Sequence, residues 1–74
     1  RKETVTLSTI ERITKAGDIV TQYSLLKAGV VSTVANGVKI VSTGKIDHKV
    51  TVKGCLASKK AVEAIEKAGG SFVQ

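Results

Sequence analysis

The stretch VTVKGCLASKKAVEAIEKAGGSFVQ, Val50 to Gln74, has the clearest local structure signals in this chain of 74 residues. Val50 and Val52 are β-branched and share one face of a predicted strand. Ser58 is a good helix N-cap, and Gly69-Gly70 predicts the end of that helix. Between these signals apolar residues recur at helical spacing, at Ala61, Ile65 and Ala68. The stretch therefore predicts a strand, a helix and a last strand, with one apolar face that must pack against the rest of the chain.

The first part of the chain predicts a second unit of the same kind. The alternating run Thr4–Leu7 predicts a short strand. Ser8 and Glu11 have the spacing of a capping box, in which Ser8 caps a helix and Glu11 reaches back to it. This helix is predicted to be short and to end near Gly17.

The middle of the chain predicts a third unit. Thr21 is the predicted N-cap of a helix over Gln22–Ala28, which buries Leu25 and ends at Gly29. The β-branched segment Val30–Val34 follows and favours an extended conformation. The remaining signals before Val50 are a turn at Asn36-Gly37, a strand over Val38–Val41, a turn at Thr43-Gly44 and a basic connector over Lys45–Lys49. The three units show no repeat of fixed period. They predict one small α/β or α+β domain over residues 1–74.

Charge is the most informative property of the composition. Twelve Lys and Arg against six Asp and Glu give a net charge of +6 and a pI near 9.8. On so short a chain this balance favours polyanion partners, chiefly nucleic acid, over acidic proteins or membranes. Tyr23 and Phe72 are the only aromatic residues. Two rings are too few for a base-stacking platform, so we expect lysine contacts to the nucleic-acid backbone.

Residues suited to catalysis or metal binding are scarce. His48 and Cys55 are the only residues of their kinds, and no acidic residue is placed by the sequence to orient either one. We therefore expect no enzymatic activity, no metal site and no cofactor. Thr43-Gly44-Lys45 lacks the spacing of a P-loop and predicts a turn. A lone cysteine excludes an internal disulfide and fits a reducing, intracellular setting.

Two further expectations concern targeting and processing. No apolar run approaches the length of a signal-peptide core or a membrane span. The chain contains no methionine and begins Arg1-Lys2. We therefore expect it to lack an upstream part of its initial translation product.

The lysines are the predicted binding residues. Four of them, Lys39, Lys45, Lys49 and Lys53, flank or alternate along two neighbouring predicted strands. They project from one side if those strands pair. Lys59 and Lys60 open the last helix, where the macrodipole disfavours a cation by about 0.3–1 kcal/mol unless an anion lies against the free amides. The alternative is that both lysines are simply solvated. The predicted RNA-binding residues are Lys39, Lys45, Lys49, Lys53, Lys59 and Lys60 as phosphate contacts, with His48 as a candidate hydrogen-bond donor.

With these residues in view, the chain resembles the C-terminal globular domain of bacterial-type large-subunit ribosomal protein fifteen. The motifs that carry the resemblance are Val20-Thr21, Leu25, Lys27-Ala28-Gly29, Val38-Lys39-Ile40 and Gly44. The strongest part is Val50-Thr51-Val52-Lys53-Gly54 with Ser58, Ala61, Ala64-Ile65 and Ala68-Gly69-Gly70. The resemblance covers nearly the whole chain and departs from the family pattern at Leu56 and Ala57.

The resemblance implies an α/β fold built as an irregular stack of short strand–helix turns, of the ribosomal protein fifteen and eighteen-e type. It also implies a structural role in the large ribosomal subunit, with ribosomal RNA and neighbouring ribosomal proteins as partners and no cofactor, membrane or small-molecule substrate. The setting is a cytoplasmic ribosome, or an organellar one for a chain of organellar origin. Family members carry a glycine- and arginine-rich N-terminal arm that threads through ribosomal RNA and is absent from this sequence.

Two alternatives remain at the level of the sequence. In the first, the chain is a small basic protein-interaction module, with Val30–Val34 as an apolar docking edge. In the second, it is a DNA-binding module, for which the sequence offers no clean pair of recognition helices.

Overall fold

Nine secondary-structure elements lie within residues 3–73, which are the residues that the computed structural model describes; Arg1, Lys2 and Gln74 of the predicted domain lie outside them. In chain order the elements are β1 (Glu3–Thr6), α1 (Leu7–Ile13), β2 (Asp18–Val20), α2 (Gln22–Lys27), β3 (Val38–Val41), β4 (Val50–Lys53), β5 (Leu56–Ala57), α3 (Lys59–Lys67) and β6 (Ser71–Val73). None of the helices in the described part of the chain is long and apolar enough to cross a membrane.

The chain alternates between two parallel sheets. The first sheet has the strand order β1-β3-β5 and the second has the order β2-β4-β6, and every pairing is parallel. We call the segments β1–β2, β3–β4 and β5–β6 the three turns of the chain. Each turn contributes one strand to each sheet, and the three turns stack along the hydrogen-bonding direction. This architecture confirms the predicted α/β stack of short strand–helix turns.

The core lies between the inner faces of the two sheets and the helices. Strand register stacks the inward side chains in two ladders, one of Val5, Ile40 and Ala57 and one of Val20, Val52 and Phe72. The helices close this core with Leu7, Ile10, Leu25, Ala61 and Ile65, all of which are buried. Full burial of a large aliphatic side chain stabilises the fold by about 1.5–3 kcal/mol. The alternation read in the strand sequences thus corresponds to the inner and outer faces of the sheets.

Two of the three predicted helix starts are confirmed. The Thr21 hydroxyl accepts from the Ser24 amide at 3.1 Å, and the Ser58 hydroxyl accepts from the Ala61 amide at 3.2 Å. Gly29 and Gly69 follow α2 and α3 with φ of +78° and +90°, which is the left-handed conformation that ends a helix.

The predicted start of α1 at Ser8 is wrong. The cap is Thr6, whose hydroxyl accepts from the Thr9 amide at 3.2 Å. The ladder between β1 and β3 ends at the pair Thr6–Val41, so the chain has no strand partner beyond Thr6 and turns into the helix there. Glu11 does not return to the cap, since its carboxylate binds elsewhere (see below).

The segment Val30–Val34 is not a strand. It runs irregularly, Val31 is buried, and Val30 and Val34 pack against the core. The predicted Asn36-Gly37 turn closes it with a hydrogen bond from the Gly37 amide to the Val34 carbonyl at 3.1 Å. The interpretation of this segment as an apolar docking edge is therefore wrong, because its three valines pack in or against the core.

Gly70 sits where the third turn of the chain presses against the second. A Cβ built on Gly70 would clash with the Val50 carbonyl oxygen and would lie 3.1 Å from a methyl group of Ile65. The Gly70 amide donates to the Ile65 carbonyl at 2.9 Å, so the backbone has little freedom to withdraw. The absence of a side chain at this position permits β6 to reach β4.

We expect Gly70→Ala to lower the free energy of unfolding by about 3 kcal/mol, the upper end of the range for overpacking, because the clash is with backbone rather than a flexible side chain. Gly29→Ala is the control for backbone strain alone. Its φ is +78° but no atom lies within 4 Å of its added Cβ, so a loss of only about 1–2 kcal/mol is expected. Urea unfolding of both variants measures the difference; equal losses would contradict the close contact.

Candidate nucleic-acid interface

The predicted lysines do not all project from one sheet. Strands β3 and β4 belong to different sheets, so they do not pair. Their pairing was the condition for the lysines to project from one side. Lys39 lies on the outer face of the first sheet and Lys53 on the outer face of the second, and both are exposed. The expectation that four lysines line a single strand pair is wrong because each strand takes its partners from the turns above and below it.

One group of lysines gathers around the start of α3. Lys39 pairs in register with Leu56, which precedes Lys59 by three residues. The Ser58 amide donates to the Ile40 carbonyl at 3.0 Å and ties the first turn of α3 to β3. The fold thereby brings Lys39 close to the helix start that carries Lys59 and Lys60.

A second group lies where the connector meets the C-terminal end of α3. A shallow recess of about 440 Å³ is lined by residues 44–47 of the connector and by Ala64, Lys67 and Ala68 of the helix and its cap. Lys45 and Lys67 both line it, and Lys67 is outside the predicted set. Lys67 has no distinctive local signal, since a lysine in the last turn of a helix is ordinary. Only the packing of the connector on α3 brings the two side chains to one recess.

Glu11 and His48 hold the connector in place. Glu11 Oε1 accepts from the Asp47 amide at 3.0 Å and lies 3.1 Å from His48 Nδ1. His48 Nε2 is 2.7 Å from the Thr14 hydroxyl, which also donates to the Ile10 carbonyl at 2.6 Å. Both ring nitrogens of His48 thus have partners within the chain. Its role as a donor to RNA stays a prediction, while its contacts attach the segment between Lys45 and Lys49 to α1.

The predicted lysines are free of carboxylate partners. Within residues 3–73, the one contact shorter than 4 Å between a basic and an acidic side chain is that of His48 with Glu11. All six predicted lysines are exposed: Lys39, Lys45, Lys49, Lys53, Lys59 and Lys60. Their ammonium groups therefore face solvent and are open to an external anion.

Cys55 is not part of this surface. Its side chain is buried, and burial raises the pKa of the Cys55 thiol above its ordinary value. It packs in the core as a neutral side chain. Across the described residues, His, Cys, Asp and Glu form no group of three or more that could hold a metal ion.

Comparison with known proteins points to one family. Residues 4–73 match a family whose description names the ribosomal proteins 50S-L15 and 50S-L18e together with one protein of the 60S subunit. The chain is also similar to a protein of Methylobacterium nodulans named "Large ribosomal subunit protein uL15", with 45% identity over 75 residues. That alignment covers 95% of this chain and 46% of the relative, so the chain spans about half the length of the curated relative. The resemblance drawn from the sequence is confirmed.

We expect Glu11→Ala to lower the free energy of unfolding by about 1–2 kcal/mol, because the Asp47 amide and His48 lose their shared acceptor. The double variant with His48→Ala should show a coupling energy of about 0.5–1 kcal/mol in urea unfolding. Glu63→Ala is the control, an exposed acidic residue of α3, and should change stability by less than about 0.5 kcal/mol. Additive effects of the Glu11 and His48 substitutions would show that the two side chains act independently.

Proposed function

The chain belongs to this ribosomal protein family, and from that premise we propose that it is a structural, RNA-binding domain of the large ribosomal subunit. It docks on large-subunit ribosomal RNA through lysine–phosphate contacts, beside neighbouring ribosomal proteins, and it catalyses no reaction. The proposal includes residues 1–74 as one globular domain, the C-terminal one of a longer protein.

The observation that carries this proposal is the state of the six predicted lysines. They are exposed and, among the described residues, none lies within 4 Å of a carboxylate. A soluble domain without a polyanion partner gains from pairing its cations with its own acidic residues, because like charges repel one another. The chain has a net charge of +6, and the unpaired lysines among its described residues suit the neutralisation of phosphates.

The distribution of the lysines favours recognition of the RNA backbone over reading of bases. Lys39 and Lys53 lie on different sheets, while Lys45 and Lys67 share a recess at the end of α3. Phosphates must therefore approach from more than one side, as they do where a domain lies among folded RNA helices. Tyr23 is a lone exposed ring, and one ring does not form a stacking platform for successive bases.

Salt dependence tests this function. If about four lysines engage phosphates, a fourfold rise in salt should reduce affinity for large-subunit ribosomal RNA roughly 50- to 200-fold, because bound phosphates release their counterions. The measurement is filter binding of the protein to protein-free large-subunit RNA across a salt series, with co-sedimentation on large subunits as a second readout.

The outcomes separate the candidate functions. A steep slope together with preference for the ribosomal RNA over duplex DNA of similar length supports the proposal. Equal binding to both would favour the DNA-binding alternative. No binding to the RNA at low salt would overturn the proposal, and a shallow slope would indicate a protein partner.

Lys59 and Lys60 provide a second test, local to the start of α3. Removing both in Lys59→Ala with Lys60→Ala should reduce affinity for the RNA and lower the salt slope by about 2, one for each lost phosphate contact. The control is Lys15→Ala with Lys27→Ala, two lysines outside the predicted set. An unchanged slope in the Lys59 and Lys60 variant, or an equal drop in the control, would exclude a phosphate at this helix start.

A further inference from the structure

The outer face of the second sheet is uncovered. Parallel sheets normally have both faces buried. Here no other element buries the side chains that point away from the core: four of them are exposed and Thr51 is half-buried. We call this surface the outer face; its strand residues are Ile19 of β2, Thr51 and Lys53 of β4, and Ser71 and Val73 of β6.

A recess marks the amino-terminal end of the outer face. It has a volume of about 210 Å³ and lies where β4 and β6 begin, beside the turn that precedes β2. Its walls include Lys49, Thr51 and Ser71, and the remaining walls are largely backbone, with glycines at positions 17, 69 and 70. A Cβ on Gly17 would meet no atom within 4 Å and one on Gly69 would meet only Lys49 Cβ at 3.7 Å, so neither position is crowded. A group the size of a ribose or a phosphate fits such a volume.

Two hydroxyl groups stand side by side in this recess without partners. Thr51 and Ser71 are paired in strand register, so their side chains leave the same face on neighbouring strands about 4.8 Å apart. No hydrogen bond within residues 3–73 uses either hydroxyl. Each is therefore open to donate to and accept from an external group.

The charges around the hydroxyls are of one sign. Lys49 and Lys53 lie on either side of Thr51, each about 6.6 Å along the strand direction. Asp18 is the single acidic residue in the strands of this sheet. It pairs in register with the buried Val50 and so alternates away from the row of Ile19 and Thr51. Its carboxylate accepts from the Lys15 amide at 2.9 Å. The outer face thus offers two cations, two hydroxyls and two exposed aliphatic side chains, and no strand carboxylate.

We propose that the outer face is a docking surface for the sugar–phosphate backbone of RNA, in which the hydroxyls of Thr51 and Ser71 recognise a ribose 2′-hydroxyl. Lys49 and Lys53 neutralise the flanking phosphates, while Ile19 and Val73 lie against the sugars. The 2′-hydroxyl is both a donor and an acceptor and is what distinguishes RNA from DNA at a given site. This inference rests on the proposed function and names the chemistry of one of its contact surfaces.

The test compares RNA with DNA of the same sequence. The RNA probe is the segment of large-subunit ribosomal RNA that the wild-type protein protects from ribonuclease, and the DNA probe copies it. Thr51→Val with Ser71→Ala should lower affinity for the RNA about tenfold and leave affinity for the DNA within about twofold, since only the hydroxyl contacts are removed. Valine keeps the shape of threonine, and an unchanged urea midpoint verifies the fold.

Two further variants complete the design. Thr4→Val removes a hydroxyl beside Lys39 on the outer face of the first sheet, and it should leave both affinities unchanged. Lys49→Ala with Lys53→Ala should weaken RNA and DNA binding alike and reduce the salt slope by about 2.

Each outcome decides the inference. Loss of RNA preference only in the Thr51 and Ser71 variant supports it. Unchanged RNA affinity in that variant, equal loss for RNA and DNA, or a wild-type protein without RNA preference would overturn it, while salt-dependent binding to ribosomal RNA would leave the proposed function standing. Absence of ribosomal RNA binding by the wild-type protein would overturn both.

Discussion

Parallel pairing between strands that are far apart in the chain is the interaction on which the rest of this structure depends. Glu3 pairs with Val38, 35 residues later, and Thr51 pairs with Ser71, 20 residues later. Parallel neighbours cannot be joined by a tight hairpin, so each return to a sheet passes through the other sheet. Three of the five crossings between the sheets pass through a helix, and the apolar sides of α1, α2 and α3 close the core. No single turn buries its inner face alone, so the fold is stable only when all three turns are stacked.

Local structure was predictable because its signals are local. Thr21 with Gly29, and Ser58 with Gly69, mark helix ends through contacts within a few residues. Strand pairing has no such signal: the spacing between paired strands is 35 residues at Glu3–Val38 but 17 at Lys39–Leu56, so no period is visible. The same limit explains the errors at the start of α1 and in the segment Val30–Val34. The start of α1 depends on where the ladder to β3 ends, and the irregular course of Val30–Val34 depends on both sheets being completed by other strands.

The proposed binding surface was predictable to a similar extent. Net charge and the exposure of the lysines could be inferred from composition, because lysine is rarely buried. Which groups lie together could not be inferred, since neighbours in the fold are distant in sequence. Glu11 contacts His48, Lys45 and Lys67 line one recess, and Thr51 pairs in register with Ser71. All three arrangements arise only through the stacking of turns. The hydroxyl pair in particular has no signature in the sequence, where threonine and serine in strands are ordinary outer-face residues.

The uncovered sheet and the unpaired charge have the same physical consequence. A chain of this size buries only about 60% of its unfolded surface, and its core has few large side chains. Mutual repulsion among the lysines opposes the compact state, and Ile19 and Val73 remain in water. A polyanion that covers the outer face removes both costs at once, because it neutralises the lysines and shields the aliphatic side chains. The unfolded chain lacks the outer face, so such a partner binds the stacked turns more tightly, and this difference in affinity adds to the free energy of unfolding. The features that weaken the isolated domain are therefore those that the proposed complex with RNA relieves.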